Sequence, residues 1–268
     1  MKKVTFIGGD VRSRIAAVKL KENGFAVETL GLYKGEKGII EDSDAVIFPV
    51  PTTRDKKHIF APFAEEKIAL EKIEKRLSSE QLLLTCNYNF QNKNCIDYGK
   101  SDGFALLNAV PTAEAAISLA IENTDFTLWQ SNVLIIGFGR VGKILADRLH
   151  KLGAFVTVSA RKYADFGLAD ALNYNFIHTK DIPLHLDKYS IIFNTLDFTV
   201  INEASMKKCS APLLIDLSSK GGFDPLLAES HGKKAIVAPG LPGKTAPISA
   251  GNILAKTLID ILRENLQD

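Results

Sequence analysis

The sequence predicts an α/β protein with two doubly wound parallel sheets and a crevice between them. Three observations lead there. Short apolar runs alternate with stretches of helical period along the chain, the pattern of strands joined by crossover helices. The alternation restarts after Trp129 and Gln130. At 268 residues the chain has room for two domains of ordinary size.

The first unit covers 1–110. A strand over 4–7 leads into a helix marked by Ile15, Ala16, Val18 and Leu20, ending at Gly24. Strands follow over 26–30 and 45–50, the latter stopped by Pro49 and Pro51. A charged helix is expected over 64–77, then strands over 82–86 and 104–107. Pro111 is expected to open an interdomain helix over 111–128, with Ala115, Ala116, Leu119 and Ala120 at helical spacing. The second unit covers 129–247: strands over 133–136 and 155–159 flank a helix over 141–152, a weaker strand signal surrounds Phe176 and Ile177, and buried strands follow over 191–196, 213–217 and 235–237. A closing helix over 248–268, strongest over 250–266, comes after the second sheet is complete, so it is expected to pack back on the first unit. Ligands of such sheets bind at the carboxyl ends of the strands.

Composition narrows the function. Lys and Arg total 33 against 31 Asp and Glu, a net charge of +2, which predicts neither a nucleic-acid nor a membrane partner. Cys86, Cys95 and Cys209 make an odd set without a CxxC, and His58, His150, His178, His185 and His231 lack metal-ligand spacing, so neither a disulfide framework nor a metal site is expected. The apolar stretch over 4–7 is too short for a signal peptide, and no apolar run approaches the ~18 residues of a membrane span. A cytoplasmic protein is expected.

The sharpest motif is Gly137-Phe138-Gly139-Arg140-Val141-Gly142, between a strand and a helix. GxGxxG in that setting marks a Rossmann-like dinucleotide fold. Gly137 makes the turn, Gly139 lets backbone N–H groups reach a pyrophosphate, and Gly142 lets helix and strand pack. NAD-binding units carry an acid about 20 residues past the glycines, to bond the ribose 2′-hydroxyl. Here the next strand ends Ser159-Ala160-Arg161-Lys162, with no carboxylate from Gly153 to Asp165. Ser159 and Arg161, with Lys162 beside them, suit a 2′-phosphate, so NADP is expected rather than NAD.

Several short motifs resemble one family, the A subunit of dipicolinate synthase. They are Gly8-Gly9-Asp10 with Arg12, Pro111-Thr112-Ala113-Glu114, the glycine motif, Ser159-Ala160-Arg161, Asp216-Leu217-Ser218-Ser219, and Ala238-Pro239-Gly240-Leu241-Pro242-Gly243 with Ala246-Pro247. The resemblance covers nearly the whole chain. Its one departure is Lys220-Gly221-Gly222, where the family carries a Pro before the two glycines. The resemblance implies oxidation of dihydrodipicolinate to dipicolinate in sporulation, on a branch of the lysine pathway, with a flavoprotein-like B subunit. The substrate is a small dicarboxylate, and a homo-oligomer is left open.

On this reading Thr195 and Pro239 join the cofactor set. Substrate candidates are Gly9, Asp10, Arg12, Thr52, Asn87, Thr112, Pro242, Gly243, Lys244, Thr245 and Ala246. Asp10 and Arg12 read equally as a helix cap and a solvated cation. Thr112 is expected to cap the linker helix and aim its N-terminus at a carboxylate. Lys244, Thr245 and the backbone N–H groups around them are expected to form a loop of donors. Glu114, at the third position of the linker helix, Asp10 and Lys244 are the catalytic candidates. His231 precedes a strand at its amino end, the wrong side. A 2-hydroxyacid dehydrogenase would want a substrate-clamping Arg, and none lies between Arg161 and Arg263. A methylene-tetrahydrofolate dehydrogenase would want a catalytic Lys in an apolar setting in the first unit, which is absent. A non-catalytic NADP-binding regulatory role stays open.

Overall fold

A computed structural model describes residues 1–36, 38–91 and 93–266 of the chain. Two units divide it: 1–108 with 246–268, and 109–245.

In the first unit, β1 (Lys3–Ile7), β2 (Ala26–Leu30), β3 (Ala45–Ile47), β4 (Leu82–Thr85) and β5 (Cys95–Asp97) form a parallel sheet in the order β2-β1-β3-β4-β5. Side chains alternate across a strand, so each face collects every second residue. Val4, Phe6, Ile47 and Leu84 enter one core, and Ile7, Val46, Phe48 and Leu83 enter the other. Burial on both faces is why these strands read as apolar runs. The first core is covered by α1 (Val11–Glu22) and α9 (Pro247–Asn265), the last helix. Gly251 lets them approach: a Cβ there would stand 2.7 Å from Ile15 Cβ and 3.1 Å from the Arg12 carbonyl. Residues 267 and 268 of the expected closing helix lie outside the described residues.

Four expectations are corrected here. The strand expected over 104–107 is helical, because Phe104 is buried while Leu106 and Leu107 are exposed, a helical rather than alternating pattern. That helix, α3 (Asp102–Glu122), starts a full two turns before Pro111, which lies inside it. The fifth strand is instead the half-buried Cys95–Asp97, too short and polar to stand out. The charged helix over 64–77 shrinks to α2 (Leu70–Glu74), since the segment before it is tied down by bridges from Thr53 to Ile59 and His58 to Ala69. The strand over 45–50 ends at Ile47.

The second unit orders its parallel strands β11-β10-β9-β6-β7-β8. These are β6 (Asn132–Ile136), β7 (Phe155–Ala160), β8 (Asn175–His178), β9 (Ile191–Asn194), β10 (Leu213–Asp216) and β11 (Lys234–Val237). Helices α4 (Arg140–Lys151), α5 (Tyr163–Ala171), α6 (Glu203–Met206) and α7 (Pro225–Ser230) connect them, and α8 (Leu241–Thr245) follows β11. Val133 and Ile135 face one core, Leu134 and Ile136 the other. The chain order along the sheet reverses between β6 and β9, the place where doubly wound sheets take ligands.

Helix α3 is, by length and composition, apolar enough to cross a membrane, contrary to the expectation that no segment would be. Half of its apolar window is buried within the protein, where Ala113, Ala116 and Ala120 belong to the core of the second unit. Its apolarity is that of a core helix.

Candidate functional site

The glycine motif closes a turn between β6 and α4. Gly137 has φ +100°, and a Cβ there would strike the Thr195 hydroxyl and come within 2.8 Å of Leu196. A Cβ on Gly142 would run into the Gly137 carbonyl. Gly139 differs: it has an ordinary φ of −82°, and a Cβ would meet no protein atom within 4 Å. It is the N-cap of α4, and no side chain caps that helix. The open space beside Gly139 therefore lies at the N-terminus, the positive end, of a 12-residue helix. That cradle fits a pyrophosphate.

Ser159 does not extend this site toward a phosphate. It is fully buried, and its hydroxyl accepts the Gly137 N–H at 3.0 Å. It fixes the turn from behind. Thr195 at the end of β9 donates to the Ile136 carbonyl at 2.9 Å and forms the other wall.

Beyond β7, Arg161 and Lys162 are exposed. The Arg161 guanidinium lies 6.0 Å from the Phe198 ring centroid. Arg161 and Phe198 line a hollow of about 310 Å³ with His178, Thr179, Lys180 and Thr199. Of these, the sequence marks Arg161 alone. Phe198 lies in a loop and Lys180 in a short 3-10 turn, Thr179–Leu184, so no periodic pattern singles them out.

The Asp216-Leu217-Ser218-Ser219 segment has a structural job. The Asp216 carboxylate is fully buried, accepting the Ser218 and Gly222 N–H groups and the Asn194 side-chain amide at 2.9, 2.5 and 2.9 Å. Gly222 is required, because a Cβ would overlap Asn194. Past β11, Pro239 is exposed. The loop of donors expected next is a short helix: Leu241 and Pro242 are buried, and the Thr245 hydroxyl donates to the Leu241 carbonyl at 2.9 Å. The Thr245 hydroxyl is thus engaged internally. Lys244 is exposed, with Gly243 and Ala246 half-buried.

The other linker-helix candidates are also moved. Thr112 lies inside α3, not at its N-cap, so it aims no helix terminus. Glu114 is likewise mid-helix, exposed, with its carboxylate 3.2 Å from the Arg148 guanidinium of α4.

In the first unit, Asp10 caps α1 by accepting the Arg12 N–H at 3.0 Å. It also takes a forked bond from the Arg12 guanidinium, which donates as well to the Val50 carbonyl at 2.5 Å. Arg12 is buried, so the reading of a solvated cation is excluded. Gly9, with φ +110°, packs against Ser13. Thr52 is fully buried, and its hydroxyl accepts the Cys86 N–H at 2.9 Å; it ties two strand ends together and presents nothing to a ligand. Asn87, at φ +56°, is exposed, with its N–H on Asp97. Burial pushes the neighbouring Cys86 thiol up to about 12, so it stays protonated.

One pair in this unit is not among the residues expected from sequence. Asp55 accepts the Lys57 and His58 N–H groups on one oxygen and faces His58 Nδ1 at 2.7 Å with the other. The i, i+3 spacing of an acid and a His in a loop after a strand is the available signal.

Together these features define a two-unit dehydrogenase-type fold. The D-lactate dehydrogenase with NAD+ from Lactobacillus jensenii shares it at a TM-score of 0.61 and 13% identity, over 100% of this chain and 98% of that one. The chain itself belongs to the family of the A subunit of dipicolinate synthase. It is 30% identical to the A subunit of dipicolinate synthase from Bacillus subtilis, over 98% of this chain and 96% of the relative. Residues 3–102 match the family model for the N-terminal domain of that A subunit. The crystal structure of the dipicolinate synthase A subunit from Bacillus halodurans superimposes at a TM-score of 0.87, with 30% identity and 97% of each chain covered.

Proposed function

We propose that this chain oxidises dihydrodipicolinate to pyridine-2,6-dicarboxylate with NADP as hydride acceptor, working with a flavoprotein-like B subunit in the cytoplasm of sporulating bacteria. The observation that carries the reading is the family relationship over 98% of the chain. The nicotinamide, when bound, supplies the hydride acceptor that makes the ring aromatic. The chain binds and orients. Gly139 and the first turn of α4 are assigned to the pyrophosphate, with Ser159 holding the turn. Arg161 and Lys162, in the place where NAD enzymes carry an acid, are assigned to a 2′-phosphate. Lys244, exposed, is the proposed cation for a substrate carboxylate, while Arg12 is engaged by Asp10 and the Val50 carbonyl.

The test incubates the purified chain, with and without the B subunit, with fresh dihydrodipicolinate and either NADP or NAD. Dipicolinate is read by its own ultraviolet absorption. Product is expected, formed faster with NADP. No product in any arm overturns the reading and favours a regulatory nucleotide-binding role.

A further inference from the structure

The oxidation must release a proton as well as a hydride; Lys244 is assigned above to a substrate carboxylate, and the other bases expected from the sequence are engaged elsewhere. Asp10 is locked in its forked pair with Arg12, and Glu114 is held by Arg148. His231 turns Nδ1 to the Leu227 carbonyl. We propose that His58, oriented by Asp55, is the base that takes the ring proton; this rests on the reading above.

Three observations support it. First, among the described residues this is the one histidine in an ion-pair contact with a carboxylate. With Nδ1–H given to Asp55, Nε2 carries the lone pair, a tautomer assigned from the hydrogen-bond pattern. The carboxylate also stabilises the imidazolium that forms. The His58 bond, with the backbone donors, holds the Asp55 carboxyl well below its usual range, so it stays charged. Second, the segment that bears the pair leaves the carboxyl end of β3 and is fastened to the carboxyl end of β1. The Gly9 N–H donates to the Phe60 carbonyl at 2.8 Å, and the Phe60 N–H to the Thr52 carbonyl at 2.9 Å. In a sheet ordered β2-β1-β3-β4-β5, the gap between β1 and β3 is the switch point where ligands are taken. Third, His58 lines a hollow of about 300 Å³ with Phe60, Ala61 and Arg54, whose guanidinium stacks on the Phe60 ring at 3.8 Å. Asp55, Glu65, Glu66 and Lys67 complete the charged lining, all on the same segment.

A bound nicotinamide would supply the acceptor for the hydride that one ring C–H bond gives up. A second ring hydrogen leaves as a proton to His58 Nε2, and the electron pair of that bond enters the ring as the final double bond. Imidazolium then returns the proton to water.

The experiment uses the full chain under the conditions that give product. His58→Gln is expected to lower kcat about 100-fold or more, the range of general base catalysis. KM is expected to stay within about threefold, the sign of a group that acts after binding. Added imidazole should partly restore His58→Ala. Asp55→Asn should cost less, about tenfold, and decides the matter should His58→Gln fail to fold. Unchanged kcat in a folded His58→Gln protein, unchanged kcat in Asp55→Asn, or no imidazole rescue overturns the assignment. Wild-type chain that makes no dipicolinate overturns both this and the dehydrogenase reading, which a slow His58 variant beside an active wild type leaves standing.

Discussion

Gly139 is the glycine of the motif that the protein does not need for itself. Gly137 and Gly142 are bare because protein atoms stand where a Cβ would go, whereas Gly139 faces open space. Gly139→Val should therefore leave the melting temperature unchanged and weaken NADP binding at least about tenfold, or about 1.4 kcal/mol, as read by calorimetric titration. Unchanged affinity would show that no nucleotide uses this turn. Arg161 is exposed beside Phe198, so its removal should touch ligand rather than fold. Arg161→Ala should cost roughly 1.5–3 kcal/mol in NADP binding, the range for hydrogen bonds to charged groups, and leave NAD nearly unaffected. Dissociation constants for both cofactors check it, and tighter wild-type binding of NAD would sink the NADP preference. A third residue reports on acid stability. Glu41 takes a forked bond from Arg76, which holds its carboxyl down at about 2 against an ordinary 4.5. The folded value is depressed, so the contribution is present above pH 4.5 and is lost as pH falls toward 2. The pair is half exposed, so less than about 1 kcal/mol is at stake. Melting curves of Glu41→Gln should lie below wild type near neutral pH and converge with it in strong acid; a gap that persists in acid would rule out the ion pair as its source.

At the scale of elements, the crossing of α1 and α9 depends on one missing side chain. Gly251→Val should destabilise the protein by roughly 1–3 kcal/mol, the cost of overpacking a filled interface, and Gly167→Val in α5, where nothing lies within 4 Å, should lack that steric cost. Thermal unfolding of the Gly251 variant checks it, and an unchanged midpoint would mean that the helices part without loss. The strands are legible in the sequence where both faces are buried, as in Leu82–Thr85 and Leu213–Asp216, because uninterrupted apolar runs bounded by polar residues have few other uses. Cys95–Asp97 is not, because a half-buried edge strand of three residues carries no such run. The start of α3 is misplaced by sequence because Pro111 has the character of a helix opener, and only packing of Phe104 and Ala109 shows that the helix is already under way. Of the glycine turn, Gly137 and Gly142 are legible, since each answers a local geometric demand. Phe198 and the true role of Ser159 are not, since each depends on which segments the fold brings together, and the Asp55–His58 pair, though local, is a spacing that exposed loops carry often.

At the scale of the whole molecule, the first unit is discontinuous in sequence: 1–108 needs 246–268 to complete it. Leu254, Ala255, Leu258 and Leu262 fill the core shared with Val4, Phe6 and Leu20. The second unit, 109–245, is continuous. Domains made on the ribosome ordinarily settle from the N-terminus onward, as synthesis proceeds at about 5–20 residues per second. In this chain the order is inverted. The segment made first waits with Val4, Phe6 and Leu20 uncovered until the helix over 247–265 arrives, while the second unit already has every residue it requires. Nascent chains halted short of residue 247 should therefore carry a finished second unit behind an unfinished, sticky first one, which makes the N-terminal half the natural client of chaperones during synthesis.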